Sequence, residues 1–224
     1  MAESAGGTER PQLNRWVYEQ LREAIVTGQF VPGRSVTLRG VALQLGVSPM
    51  PVREALRQLV AERALVIHDN RRVAVPEMST ARLEELGTAR VLLEGELALR
   101  ALPGVDAARL EALRRLDREV DLALEQGKPE RYMRFNHEFH MTLYRAAPSQ
   151  VLLPLVESLW LQVGPFLRLV VGRLGTASFV DRHRAALAAI AATDARGLRE
   201  AIAADIADGH ALMAAAMGEV RKAG

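Results

Sequence analysis

Residues 134–141, RFNHEFHM, bring two histidines, a carboxylate and an amide together within about two helical turns. Side chains of these types bind transition metals. The segment is one residue short of the zinc-protease pattern H-E-x-x-H, because Met141 stands where the second histidine is required. Either the pattern has no chemical role, or Asn136 and His140, four residues apart, act together in a different site.

The composition limits both the ligands and the fold. The chain contains no cysteine, so any metal site must use nitrogen and oxygen ligands from His, Asp, Glu or Asn. The 224 residues are 49% hydrophobic and 25% charged, as in soluble globular proteins, and an aromatic content of only 4% with abundant Ala, Leu, Arg and Glu favours helices. A chain of this length suffices for two modest domains.

No segment is typical of secretion or of membrane insertion. The polar N-terminus, MAESAGGTERPQLNR, lacks the apolar core of a signal peptide. No run approaches the roughly 18 apolar residues that a membrane span needs. We therefore expect a cytoplasmic protein without membrane contact, in which residues 1–11 form a disordered tail.

Positive charge is concentrated in one short segment. Residues 34–72 contain seven arginines and three acidic residues, a local charge of +4, whereas residues 79–224 contain 19 basic and 19 acidic residues. Such a confined basic segment is expected where a protein meets nucleic-acid phosphates.

The same segment predicts a helix-turn-helix. After a first helix over residues 13–27, Thr37 can cap a second helix that Gly46 ends, and Ser48 can cap a third with Pro49 at its first position. Two helices joined by so short a turn must cross steeply. Short β-like runs at 64–68 and 72–76, joined through Asp69 and Asn70, then predict a hairpin, so residues 12–76 form a winged helix.

The rest of the chain, residues 79–224, predicts only helices. Turn-forming residues separate helical segments at 80–102, 106–126, 129–147, 149–172, 177–192 and 194–218. Short connections between helices imply an antiparallel bundle of six to seven helices. The predicted fold is therefore mainly α, a winged helix-turn-helix followed by a helical bundle.

The N-terminal part of the third helix is expected to enter the major groove of DNA. Arg53 is the strongest candidate for a base contact, because a guanidinium group can pair with both O6 and N7 of guanine. Met50 and Pro49 offer apolar contact, and the remaining arginines suit phosphates or the minor groove. The predicted DNA-contacting residues are Arg39, Ser48, Met50, Arg53, Arg57, Arg71 and Arg72.

Residues 38–65, LRGVALQLGVSPMPVREALRQLVAERAL, resemble the winged-helix signature of GntR-type bacterial transcription regulators. The resemblance covers about residues 12–76 and assigns DNA contacts to Arg39 and Arg53. It departs from the family at Pro49, where many members have Arg. The all-helical second half is similar to the FadR-type branch, whose FCD domain binds an effector.

The resemblance also implies a metal site. Many FCD domains hold a divalent metal with an Asp-x-x-x-His pair and two further histidines, and the matching positions here are Asn136, His140, His183 and Asp205. At 100° per residue, Asp205 falls in an apolar stripe, where a carboxylate is costly without a metal or partner. These ligands suit Zn²⁺, Ni²⁺ or Mn²⁺, with His210 as the alternative fourth ligand. In the alternative interpretation, the same groups contact an organic effector without a metal.

Helical periodicity also turns His137 and Glu138 toward solvent, which would make the protease-like pair incidental. The resemblance implies a small metabolite as effector, often a carboxylic acid, and Arg90 is the candidate partner for its charge. Alternatively, Arg90 pairs with Glu94 four residues on.

The expected function is a homodimeric regulator that binds double-stranded operator DNA under the control of a small organic acid, and no enzymatic activity is required. Two alternatives stay open at this point. One is a metal-dependent hydrolase or lyase that its N-terminal domain localises on DNA. The other is a pure metal sensor.

Overall fold

The computed structural model describes residues 9–68, 72–174 and 182–222. The predicted wing turn, with Asp69, Asn70 and Arg71, lies outside these residues. The N-terminal elements are α1 (Glu9–Val26), β1 (Ser35–Thr37), α2 (Leu38–Leu45), α3 (Pro49–Ala61), β2 (Val66–Ile67) and β3 (Arg72–Ala74). The bundle contains α4 (Thr80–Ala101), a 3₁₀ turn (Leu102–Gly104), α5 (Ala107–Glu125), α6 (Pro129–Tyr144), α7 (Leu152–Leu174), α8 (His183–Ala191) and α9 (Ala195–Lys222).

Local sequence signals set the helix-turn-helix. The Thr37 hydroxyl accepts a hydrogen bond from the Gly40 N–H at the start of α2, and Gly46 ends that helix with a φ of 66° in the left-handed region. Pro49 begins α3, whose Val52 and Leu59 are fully buried. The predicted caps at Thr37 and Gly46 are confirmed, whereas the Ser48 side chain makes no capping hydrogen bond and α3 begins at Pro49 without one.

The wing contains a strand that the sequence pattern did not reveal. The sheet has the order β1-β3-β2 and is antiparallel, with Val36 opposite Val73 and Val66 opposite Ala74. The strand β1 spans only Ser35–Thr37 and runs directly into α2. Three residues are too few to display an alternating pattern, so only their pairing with β3 defines the strand.

The bundle follows the predicted order of helices, with shifted ends. The helix predicted over 129–147 ends at Tyr144, and the one predicted over 149–172 begins at Leu152 and continues to Leu174. For the segment 177–192, the described helix is His183–Ala191, and residues 175–181 lie outside the described part of the chain. Helix ends are the least reliable feature of periodicity because fraying and turn geometry decide them.

Helix α7 belongs to the cores of both domains. In the winged helix, Leu161 of α7 is buried in a cluster with Val17 and Ile25 of α1, whereas Trp160 is buried in the core of the bundle. Contrary to the sequence expectation, the segment Leu152–Gly172 is long and apolar enough to cross a membrane, with a mean hydropathy of 1.3. Half of this segment is buried inside the protein, which accounts for its apolar character.

The two domains touch closely along α1 and α7. A Cβ atom added to Gly164 would lie 3.0 Å from both Cα and O of Val26. At the edge of this contact, the Ser158 hydroxyl donates to the Glu62 carbonyl oxygen at 2.9 Å. The position of the winged helix on the bundle therefore depends on a small residue in the middle of α7.

We expect Gly164→Ala to lower the free energy of unfolding by about 1–3 kcal/mol, because the new methyl group meets backbone atoms that cannot rotate away and also precedes Pro165. Urea unfolding would measure the change. The matched control is Gly209→Ala in α9, where an added Cβ meets nothing within 4 Å. That variant should gain roughly 0.5–1 kcal/mol from helix propensity, and a gain for both variants would contradict the close contact.

Candidate metal and effector site

Three of the predicted ligands meet in the middle of the bundle. One ligand atom from each of His140, His183 and Asp205 lies within 4.8 Å of the others. The residues come from α6, the first turn of α8, and α9. Both histidines are buried, and the side chain of Asp205 is 21% exposed. The cluster has two imidazoles and one carboxylate, a donor set suited to a borderline divalent metal.

The two nitrogens of His140 have different surroundings. Its Nε2 lies 3.2 Å from Asp205 Oδ2, but this buried nitrogen makes no aligned hydrogen bond within the described residues. The contact is therefore a close electrostatic one. On the other side of the ring, Nδ1 lies 3.1 Å from the hydroxyl oxygen of Tyr144.

His183 is held by neighbours from two helices. Its ring stacks on Phe139 at a centroid distance of 3.9 Å, and its Nδ1 lies 3.5 Å from Asp117 Oδ1. Asp117 is buried on α5, and its Oδ1 has no hydrogen bond in the part of the chain that the structure describes. The sequence interpretation missed Asp117, although it follows Leu113 and precedes Val120 on the buried face of α5. A carboxylate in an apolar stripe was the available signal, the same one that singled out Asp205.

Asp205 carries its charge in spite of its surroundings. Burial by itself would raise the pKa of the carboxyl group, but His140, His183 and Arg90 together lower it below the ordinary value. An ionised carboxylate beside two imidazoles attracts cations.

A cavity of about 250 Å³ adjoins the cluster. Asn136, buried one turn before His140 on α6, lies on its wall with Asp205. Tyr132, Trp160 and apolar residues of α9 form much of the remaining wall. The cavity therefore places open space next to a potential metal ligand, and its size suits a small organic molecule.

His210, the alternative fourth ligand, lies elsewhere. A Cβ atom added to Gly87 would lie 2.7 Å from His210 Nδ1, so the imidazole covers that glycine of α4. It lines a separate, mostly apolar groove between α4 and α9. Burial lowers the pKa of His210 to about 4, which keeps the imidazole neutral. Within the described residues, the cluster of possible metal ligands contains His140, His183 and Asp205 and not His210.

Arg90 lies on the cavity wall but is already paired. Its Nε donates to Glu94 Oε1 at 2.6 Å, and its guanidinium group lies 4.4 Å from the centroid of the Trp160 ring. Both Arg90 and Glu94 are buried. Arg90 therefore forms the ion pair with Glu94 that the sequence offered as the alternative to an effector contact.

Of the protease-like pair, His137 and Glu138, only one residue faces solvent. Glu138 is exposed as expected, but His137 is partly buried and meets the ring of Trp160 edge-on at 5.2 Å. Burial lowers the pKa of His137 to about 3. The prediction for His137 was wrong because α7 covers that side of α6, a contact that a single-helix projection omits. Met141, at the missing histidine position, is buried in the apolar core.

The predicted DNA-contacting residues share an exposed surface on α2 and α3. This surface contains Arg39, Ser48, Met50, Arg53 and Arg57. The Ser48 side chain makes no capping hydrogen bond, and the Arg57 guanidinium group pairs with Glu54 at 3.1 Å. In the wing, Arg72 donates to the Ser35 hydroxyl at 3.4 Å, and Arg71 lies outside the described residues.

Both halves of the chain match known protein families. Residues 13–75 match the bacterial regulatory proteins of the gntR family, and residues 85–208 match the FCD domain. The chain is 28% identical to the HTH-type transcriptional regulator McbR of Escherichia coli K12 over 201 residues, which cover 88% of this chain and 91% of that protein.

Solved structures agree with this match over most of the chain. The structure of E. coli McbR/YncC superposes with a TM-score of 0.84 at 28% identity, covering 90% of this chain and 96% of the other. A GntR-family regulator from Pseudomonas syringae pv. tomato gives a TM-score of 0.59 at 26% identity, covering 94% and 88%.

Proposed function

This chain belongs to the gntR family of bacterial regulatory proteins that carry an FCD domain, and we propose that a carboxylic acid, bound beside a divalent metal, controls its attachment to DNA. It is a DNA-binding transcriptional regulator and not an enzyme, as its relatives are named. Its winged helix binds operator DNA, and its FCD domain binds a small-molecule effector. The metal, the acid and the residues that hold them are proposals.

One observation carries the metal proposal. His140 Nε2, His183 and Asp205 converge within 4.8 Å, yet His140 Nε2 and Asp205 Oδ2 are not aligned for a hydrogen bond at 3.2 Å. A cation between these atoms would bind both. A bound Zn²⁺, Ni²⁺ or Mn²⁺ would supply a positive charge with an open coordination position. Asn136 is close enough along α6 to be proposed as a neutral oxygen ligand.

The charges around the cavity favour an acid only when the metal is present. Arg90 is balanced by Glu94, and Asp208 on the cavity wall is balanced by Arg182 at 2.8 Å. The charge of Asp205 then makes the cavity negative, and a negative cavity repels a carboxylate. A divalent cation reverses that sign. For this reason the metal-assisted site is preferred over direct binding of the effector by the same His and Asp side chains.

Helix α7 offers a physical connection from the cavity to the DNA-binding domain. Trp160 and Leu167 of α7 line the cavity, while Leu161 is buried in the winged-helix core. A ligand that shifts Trp160 or Leu167 therefore acts on a helix whose other face contacts α1. We propose that this shift changes the position of the winged helix.

We further propose that the regulator is a cytoplasmic homodimer. A winged helix places one recognition helix in the major groove, and two copies would read two half-sites about one helical turn apart. The dimer would then convert a change in domain position into a change in the separation of its recognition helices.

Replacing Arg53 with Ala is expected to weaken operator binding by about 1–3 kcal/mol and to relax base preference at one position. Fluorescence anisotropy with operator duplexes carrying each base at every position would measure both effects. Arg57→Ala is the control, because a phosphate contact should weaken binding to all sequences equally and reduce its salt dependence. Unchanged selectivity in the Arg53 variant would exclude the base contact.

Replacing both His140 and His183 with Ala is expected to abolish stoichiometric binding of Zn²⁺, Ni²⁺ and Mn²⁺. Elemental analysis and calorimetry on chelator-treated, dialysed protein would measure it. The control is His210→Gln, which alters a histidine outside the cluster and should bind metal as the unmodified protein does. Full metal content in the double variant would refute the site.

Gly209→Leu is expected to block the organic effector while leaving the metal in place. Gly209 lines the cavity, and its added side chain enters open space rather than a packed contact. Thermal shifts with a panel of short monocarboxylic and hydroxycarboxylic acids would be recorded with and without Zn²⁺. A rise in Tm should require Zn²⁺ and disappear in the variant.

Two other outcomes would contradict this effector proposal. An equal rise in Tm without metal would indicate direct binding of the acid by the protein. A change in operator affinity caused by the metal alone, with no response to any acid, would instead indicate a pure metal sensor.

A further inference from the structure

We infer that Tyr144 and Glu94 hold a proton on His140 Nδ1 and so leave Nε2, the nitrogen that faces the cluster, to bind a metal. Both residues then act as positioning residues. This inference rests on the metal binding proposed above. It concerns side chains that lie behind the ligands and do not contact the cation.

Glu94 is the centre of the arrangement. It is fully buried on α4, and its carboxylate accepts hydrogen bonds from three side chains on three helices. Arg90 Nε donates to Oε1, while the Tyr144 hydroxyl and Trp160 Nε1 donate to Oε2 at 2.8 and 3.0 Å. Arginine and tryptophan side chains can only donate, so Glu94 is fixed as the acceptor.

The proton of the Tyr144 hydroxyl is therefore already used. The Tyr144 hydroxyl has a single proton, which it donates to Glu94 Oε2. Its oxygen faces His140 Nδ1 at 3.1 Å. A hydrogen bond across this distance requires the proton to be on Nδ1, because the hydroxyl has no second proton to give.

The tautomer follows from this chain of donors. A neutral imidazole with its proton on Nδ1 carries its lone pair on Nε2, the nitrogen that faces Asp205 and the cluster. A proton on Nε2 alone would oppose the lone pairs of Nδ1 and of the Tyr144 oxygen. A proton on Nε2 in addition to the one on Nδ1 would face the Asp205 carboxylate at 3.2 Å, and a metal would take its place. The network therefore leaves Nε2 as the nitrogen that a metal can bind.

A different carboxylate lies beside His183. Its Nδ1 is 3.5 Å from Asp117 Oδ1, a close electrostatic contact without an aligned hydrogen bond, and Nε2 lies on the opposite side of the ring. The carboxylate behind His140 thus belongs to α4, and the one beside His183 belongs to α5. Losing one of these carboxylates should leave the other histidine unchanged.

The test combines a tautomer measurement with a metal titration. Two-bond ¹H–¹⁵N spectra of the metal-free protein report which nitrogen of His140 carries the proton, with His140→Gln used to assign the signals. We expect Nδ1 of His140 to carry a proton in the unmodified protein and to lose it, wholly or in part, in Tyr144→Phe. The Zn²⁺ affinity of Tyr144→Phe should fall about 10–100-fold at unchanged stoichiometry.

Tyr18→Phe is the matched control, because it removes a tyrosine hydroxyl that donates to a carboxylate, that of Glu62, outside the metal cluster. It should keep the Nδ1–H signal and a Zn²⁺ affinity within a few-fold of the unmodified protein. An unprotonated Nδ1 in the unmodified protein would overturn the inference even if no variant folds. Equal losses of affinity in both variants would also overturn it.

Failure of the inference is distinguishable from failure of the proposed function. If the unmodified protein binds no metal, the proposed metal site fails, whereas the tautomer spectra still test the action of Tyr144 and Glu94. If the unmodified protein binds Zn²⁺ and Tyr144→Phe binds it equally well, only the positioning role is refuted.

Discussion

The structure of the bundle depends on one buried negative charge. Glu94 has no exposed surface, and a carboxylate in such a place must be matched by a charge and by hydrogen bonds. Arg90 supplies the charge from the same helix, and the donors Tyr144 and Trp160 come from α6 and α7. Losing one partner of a buried ion pair typically costs about 3–5 kcal/mol, so this arrangement strongly favours one packing of α4, α6 and α7. The apolar core alone would tolerate more variation.

The candidate metal site is built on this packing. Tyr144, which donates to Glu94, also contacts His140, and Trp160 stands beside both His140 and the cavity. Glu94 is thus connected to the candidate ligand His140 through one residue, Tyr144. Arg90 is paired with Glu94 inside the protein and is not available as the counter-charge for an acid. The positive charge that an acid requires is then proposed to come from the metal.

Helix α7 also joins the two domains. Trp160 and Leu161 are neighbours in α7, but one is buried in the bundle and the other in the winged helix. Gly164 brings the backbones of α7 and α1 close together, and Pro165 interrupts the hydrogen bonding of α7 between the cavity residues Trp160 and Leu167. A helix that is shared by two cores and interrupted in its middle suits the transmission of a ligand-dependent shift.

The sequence by itself determined the order of the helices, the caps of α2 and the exposed arginines, because propensity, capping and hydrophobic periodicity act over a few residues. It also singled out His140, His183 and Asp205, since polar residues in apolar stripes are visible in one dimension. Only the tertiary structure decided that these three converge, that His210 does not join them and that Asp117 lies beside His183. It also showed that Arg90 is paired with a buried carboxylate and that α7 covers His137. Each of these results depends on the distance between different helices, which the periodicity of a single helix does not contain.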